Sequence, residues 1–259
     1  MRDYARIKVA RDGGVEIITL NNPDKRNAIG PRMTNELLWA LEDARAAADV
    51  RSIVLTGEGK AFCAGGDFSE MTSGAAESKL AHKGDYADLL LALAKTDKPV
   101  IARVNGVAMG GGLGIVAAST FAVAASDVKL GTPEIDVGLF PMMIMAVLAR
   151  YVPRRRLTQM MLLGEKFDAA EALRLGLVNE VVEPGALDAS VKKLTDTIAT
   201  KSPSTVRLGL RAFAAQDDLA IEQALPLLRD RLAECLSTDD AREGLMAFLQ
   251  KRAPQWTGK

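Results

Sequence analysis

The chain has 259 residues, enough for a large hydrophobic core in one or two domains, and its 33 Lys plus Arg balance 33 Asp plus Glu. A formal charge of zero leaves no global field to draw in nucleic acid or an anionic membrane, so an anionic ligand must be met locally. Two cysteines without metal-ligand spacing and one histidine, His82, argue against a zinc site or a Ser-His-Asp triad; with no apolar run near the ~18 residues of a membrane span, a soluble cytoplasmic protein is expected.

Ile7-Lys8-Val9 and Val15 to Leu20 alternate like two strands around Asp12-Gly13-Gly14. Asn21-Asn22-Pro23-Asp24 breaks the pattern, Pro31 suits a first helical position, and Met33, Leu37, Leu38, Leu41 and Ala44 form a helical stripe. Ser52 to Thr56 reads as a buried strand closed by Gly57-Glu58-Gly59. A polar stretch from Met71 to Asp85 leads into helix-like Tyr86 to Ala94. Pro99 to Val104 is a short strand, joined by a glycine-rich junction to a helix over Leu113 to Ala118; strands follow at Phe121 to Ala125 and Val128 to Leu130. From about Arg154 the pattern is helical, with Asp168-Ala169-Ala170-Glu171 as a helix start, Gly176 as a stop, and periodic segments at 186–199, 203–214, 220–235 and 241–249. An α/β core over residues 1–195 and a helical region over 196–259 are therefore expected.

Three stretches carry chemistry. The run Val104-Asn105-Gly106-Val107-Ala108-Met109-Gly110-Gly111-Gly112-Leu113-Gly114 brings backbone N–H groups and the positive end of a helix dipole to a place where main chain is accessible, which suits an anion or oxyanion. It is neither a P-loop, since Gly59-Lys60 is followed by Ala61, nor a dinucleotide fingerprint, since Ile115 falls on the third glycine. A second loop, Gly59-Lys60-Ala61-Phe62-Cys63-Ala64-Gly65-Gly66-Asp67, offers a converging donor; two aimed N–H groups match the oxygen of a thioester turning into an enolate or tetrahedral oxyanion. Cys63 reads as a nucleophile or as a small buried hydrophobe. In Thr132-Pro133-Glu134-Ile135-Asp136, Glu134 sits among apolar residues where burial would raise its pKa for proton transfer, with a solvent-facing glutamate as the alternative and Asp136 as its rival.

Together with Asp24-Lys25-Arg26-Asn27-Ala28, the segment Ala169 to Val178 and the ending Phe248-Leu249-Gln250-Lys251-Arg252-Ala253-Pro254, these stretches resemble the crotonase superfamily, the enoyl-CoA hydratase/isomerase family, in its own order. The resemblance implies an α/β spiral of strand-strand-helix units forming two nearly perpendicular sheets, then helices that assemble a homotrimer or dimer of trimers. It implies an acyl-CoA thioester as ligand, with coenzyme A part of the substrate and no metal or redox cofactor. By position it assigns the oxyanion donors to Gly66 and Gly111 and the general acid/base to Glu134. Contacts with coenzyme A fall on Lys25, Arg26, Ala28, Ala64 and the neighbouring Asp67, and contacts from an adjoining subunit's tail on Lys251 and Arg252. Family hydratases carry two glutamates, and the first falls on Gly114. A single glutamate resembles the isomerase pattern; Met142 stands where family dehalogenases carry an aspartate nucleophile. Asp85, Asp88 and His82 are the candidates for a substitute acid, and Gly114→Glu is expected to favour hydration if the helix start tolerates it. Decarboxylation, thioester hydrolysis and a non-catalytic acyl-CoA-binding subunit stay open.

Overall fold

The computed structural model describes residues 2–73 and 79–259, so part of the polar stretch before Asp85 lies outside the described residues. β1 (Ile7–Asp12) and β2 (Val15–Leu20) pair antiparallel from Ile7 opposite Leu20 to Asp12 opposite Val15, with Gly13 at φ 54° in the turn. α1 (Pro31–Ala46) has proline in its first turn and buries the expected stripe. β3 (Ser52–Gly57), buried along its whole length, is followed by β4 (Ala61–Cys63), α2 (Phe68–Ser73) and α3 (Tyr86–Ala94). The pattern recurs as β5 (Val100–Val104), β6 (Val107–Met109) and α4 (Gly111–Ala118). It recurs again as β7 (Phe121–Ala125), β8 (Lys129–Gly131), α5 (Met142–Leu148) and α6 (Arg154–Leu163). β9 (Lys166–Asp168), α7 (Ala169–Arg174), β10 (Glu180–Val182) and α8 (Leu187–Ala199) complete the core. α9 (Pro203–Gln216), α10 (Ile221–Leu236) and α11 (Asp239–Leu249) form the tail.

The strands divide between two sheets, one ordered β1-β2-β3-β5-β7-β10 and the other β4-β6-β8-β9. Each pair β3–β4, β5–β6 and β7–β8 therefore leaves one strand in each sheet and moves one place along both, which makes the α/β strand-strand-helix spiral. Asn105 fixes two of the corners where the chain changes sheet. Its Nδ2 donates to the carbonyls of Gly57 and Gly59, each at 2.9 Å, and its Oδ1 accepts from the Gly57 N–H at 3.1 Å.

Two expectations change. The glycine run does not join strand to helix directly: the chain turns at Asn105-Gly106 and adds β6 in the second sheet before α4 begins. Three-residue strands such as β4, β6, β9 and β10 are too short to leave a period in the sequence. The division at residue 195 cuts α8, which buries Leu187, Val191, Thr195 and Ile198 and packs on the larger sheet. Past it, α9–α11 bury few residues and leave Phe213, Ile221, Leu225, Leu232 and Phe248 exposed.

Candidate active site

β4, β6 and β8 lie side by side and run in one direction, with Cys63 opposite Ala108, Ala108 opposite Leu130 and Met109 opposite Gly131. Whatever follows each strand thus emerges at one edge of the sheet, the carboxyl end where α/β folds commonly bind ligands. Those segments are Ala64-Gly65-Gly66, Gly110-Gly111 and Thr132-Pro133-Glu134. Three strand ends bring together the three groups that the sequence separates by up to 68 positions.

Gly66 is held by a backbone bridge to Ile29, whose N–H donates to Gly65 O at 2.8 Å and whose carbonyl accepts from the Asp67 N–H at 2.9 Å. Gly110, at φ 50°, turns the chain from β6 into α4 and donates its own N–H to Gly131 O at 2.9 Å. Gly111 then opens the helix. Its N–H is among the first four that an α-helix leaves without an internal acceptor, and it lies at the positive end of the dipole. Neither the Gly66 nor the Gly111 N–H donates to another group among the described residues. A Cβ on Gly112 would lie 2.3 Å from Cys63 O, so the start of α4 rests directly on the end of β4. Every residue of α4 from Gly112 to Ala118 is buried, as expected of a helix apolar all round.

Glu134 is the second residue of a short 3-10 helix, Pro133–Val137, anchored by Thr132, whose Oγ1 donates to Met160 O at 3.0 Å. Its Oε1 is 2.8 Å from where a Cβ on Gly110 would stand, so any larger residue there would collide with the carboxylate. Its Oε2 is buried with no hydrogen-bond partner among the described residues. A buried polar atom without a partner is uncommon and invites a functional explanation. Burial pushes the Glu134 pKa above 4.5, against a smaller opposing effect from its own backbone N–H. Asp136 is exposed and stands beside Gly164 instead.

The remaining sequence candidates fall into two groups. Lys25, Arg26, Ala28 and Ala64 gather around the Gly66 loop: Ala64 N–H donates to Arg26 O at 3.0 Å, and Arg26 is held at φ 49°. The Lys25 ammonium donates to Asp67 Oδ2 at 2.8 Å and to Ser69 Oγ at 2.6 Å. Asp67 is buried and ion-paired, so its carboxylate braces this loop. Asn27 is fully buried and donates to Glu58 O and Ala61 O, tying the loop to the β3–β4 corner. Lys251, at φ 53°, is exposed at the end of α11, whereas Arg252 is clamped by Glu243.

Three readings of the sequence are decided here. Cys63 is fully buried, and burial pushes its thiol up to about 11 against weaker backbone hydrogen bonds with Gly65 and Ile29; of its two readings, the small buried hydrophobe holds. Asp85 and Asp88 form the capping box of α3, with Asp85 Oδ1 accepting from the Ala87 and Asp88 N–H groups and Asp88 Oδ2 accepting from the Asp85 N–H. They and exposed His82 therefore supply no acid at Glu134. The third concerns Gly114, where a Cβ would lie 2.4 Å from Ile144 Cγ2 and 2.5 Å from the Tyr86 hydroxyl. That position has no room for a glutamate.

Tyr86 is the residue that sequence reasoning missed. Its hydroxyl donates to Gly111 O at 2.5 Å. Burial, with Cys63 and Glu134 nearby adding to it, holds its pKa well above 10.0, so the phenol stays protonated. Elsewhere on α3 and α5, the helices that bring Tyr86 and Ile144 together, Leu90, Leu91, Met142, Met143 and Val147 line a separate cleft of about 420 Å³. Among the described residues no cluster of His, Cys, Asp and Glu could hold a metal ion, and no helix is long and apolar enough to cross a membrane.

A family model described as enoyl-CoA hydratase/isomerase matches residues 10–259. The short-chain-enoyl-CoA hydratase of Clostridium acetobutylicum is 33% identical to this chain, covering 93% of it and 94% of the relative. The crystal structure of an enoyl-CoA hydratase from Mycobacterium smegmatis superposes with a TM-score of 0.90 at 36% identity, over 97% of this chain and 99% of that one. That of an enoyl-CoA hydratase from Bacillus anthracis gives 0.90 at 30% identity, over 98% and 100%.

Proposed function

Because this chain belongs to the enoyl-CoA hydratase/isomerase family, we propose that it acts on an enoyl-CoA thioester by moving a double bond and not by adding water. The observation that carries this reading is the solitary carboxylate: Glu134, half-buried with one oxygen unpartnered, faces the start of a helix with no side chain at position 114. The thioester oxygen accepts hydrogen bonds from the Gly66 and Gly111 N–H groups. Glu134 as carboxylate takes a proton from C2 of a 3-enoyl-CoA, and the electron pair of the broken C–H bond spreads onto the thioester oxygen as a dienolate. The glutamic acid so formed returns its proton at C4, leaving the double bond between C2 and C3 with no net change of atoms. Aimed N–H groups act most strongly where negative charge develops, and a raised pKa suits Glu134 to both transfers.

Lys25, Arg26, Ala28, Ala64 and Asp67 form the side of the site assigned to coenzyme A, and Lys251 serves a neighbouring subunit. The chemistry calls for no metal or redox cofactor. Exposed apolar residues on α9–α11 support self-association as a homotrimer or dimer of trimers. Hydration is the second reading, favoured because relatives bear the name hydratase. Incubating the protein separately with 2-enoyl-CoA and 3-enoyl-CoA, and following both esters and the 3-hydroxyacyl product by mass spectrometry, decides between them. Conversion of 3-enoyl to 2-enoyl ester with little hydroxyacyl product supports isomerisation; efficient hydration of the 2-enoyl ester refutes it.

A further inference from the structure

We propose that Tyr86, backed by Ile144, is the specificity-determining residue of this site, filling the space over Gly114 so that no nucleophilic water is held beside Glu134. The inference rests on the isomerisation reading above. Gly111 and Gly114 are three residues apart on α4 and so share one helix face. Tyr86 covers both: its hydroxyl oxygen is 2.5 Å from the Cβ position of Gly114 and 3.4 Å from that of Gly111. The first turn of α4 thus presents a phenol in place of side chains of its own.

The plug is fixed from three directions. The capping box of Asp85 and Asp88 sets the start of α3, and with it Tyr86 as the first helical residue. The hydroxyl hydrogen is committed to Gly111 O, and Ile144, 3% exposed, closes the volume from α5. Hydration needs the oxygen of a water to bond C3 while a proton reaches C2, and a bound water generally needs two to four polar partners. Over Gly114 an Ile144 methyl and the Tyr86 hydroxyl themselves occupy the place where such a water would stand, which leaves Glu134 as the acid/base. Isomerisation needs only that one group, because the proton taken from C2 is the proton returned at C4.

The test reads the ratio of 2-enoyl-CoA hydration to 3-enoyl-CoA isomerisation, each as kcat/KM, in wild type, Tyr86→Phe and Tyr86→Ala. Tyr86→Ala should raise the ratio roughly 10-fold or more, part of the ~10²–10⁴-fold that a positioned proton-transfer group contributes. Tyr86→Phe, which keeps the ring but removes the oxygen nearest Gly114, should raise the ratio by less than Tyr86→Ala does. An unchanged ratio in folded Tyr86→Ala overturns the proposal, as does a larger rise in Tyr86→Phe than in Tyr86→Ala. Should Tyr86→Ala not fold, Ile144→Ala opens the same space from α5 and carries the same expectation and the same refutation. Crystal structures give a readout independent of turnover: an ordered water bonded to Glu134 over Gly114 is expected in Tyr86→Ala, and the same water in wild type overturns the proposal. If no protein turns over either ester, the isomerisation reading fails, while the crystal structures still decide the role of Tyr86.

Discussion

Gly114→Ala is a one-methyl test of whether the helix start is as crowded as its neighbours indicate. Two effects oppose each other. Replacing an interior helical glycine with alanine gains about 1 kcal/mol in helix propensity. The new methyl, however, would lie 2.4 Å from Ile144 Cγ2 and 2.5 Å from the Tyr86 hydroxyl. Neither is the loose end of a flexible chain: Ile144 is branched and buried, and the hydroxyl ends a rigid ring bonded to Gly111 O. Overpacking of this kind costs about 1–3 kcal/mol, and displacing Tyr86 forfeits a hydrogen bond worth about 1 kcal/mol. The cost outweighs the gain, leaving a net loss of about 2 kcal/mol on the upper half of these ranges. At roughly 2–4 °C per kcal/mol for a chain near this length, Tm should fall by about 4–8 °C. Thermal melts followed by circular dichroism measure it. A Tm equal to or above that of wild type would refute the crowding, and with it the reason a glutamate does not fit at this position.

Glu134→Gln keeps the shape but not the proton, so kcat should fall by about 10²–10⁴ while thioester affinity by calorimetry stays within a few-fold; near-normal turnover assigns the proton to another group. Because the base form of Glu134 starts the reaction and its pKa is raised, kcat/KM should fall with decreasing pH at an inflection above 4.5, and an inflection below that value contradicts the burial argument. Gly111→Pro deletes one oxyanion donor and should cost roughly 10²–10³ in kcat in a variant whose circular dichroism is native, so that full activity removes Gly111 from the site. Burial opposes the charge on Asp67, but bonds from Lys25, Ser69 and the Glu70 N–H prevail and lower its pKa from 3.8 to about 2. The stability it contributes is present above 3.8 and lost as pH falls toward 2, so the Tm gap between wild type and Asp67→Asn should narrow across that window. A gap constant with pH would show that the ion pair contributes nothing.

The long elements are legible because their burial leaves a pattern: the helical stripe on α1 and the unbroken buried run of β3 appear in the chain as they do in the core. The glycines of the two loops were legible for a different reason, since a left-handed backbone at Gly110 and close approach at Gly112 leave few other choices of residue. Asp85 and Asp88 carry a readable signal for local structure and not for catalysis, because two acids three apart before an apolar run cap a helix. Tyr86 had no local signature. Its partners, Gly111 O, Gly114 and Ile144, lie 25 to 58 positions away, and only the stacking of α3, α4 and α5 brings them to it.

The two arms proposed for the oxyanion differ in how they are held, and heat should therefore part them. Gly111 is the first residue of a helix buried from Gly112 to Ala118, whose hydrogen-bonded amides should exchange only when the surrounding core opens. Gly66 hangs on one backbone bridge to Ile29 and on the Lys25–Asp67 pair, whose lysine is 45% exposed. Local opening of that loop needs far less free energy than global unfolding. Turnover should thus fade on heating while the far-ultraviolet spectrum is still native, and deuterium should enter the segment around Gly66 well before it reaches α4.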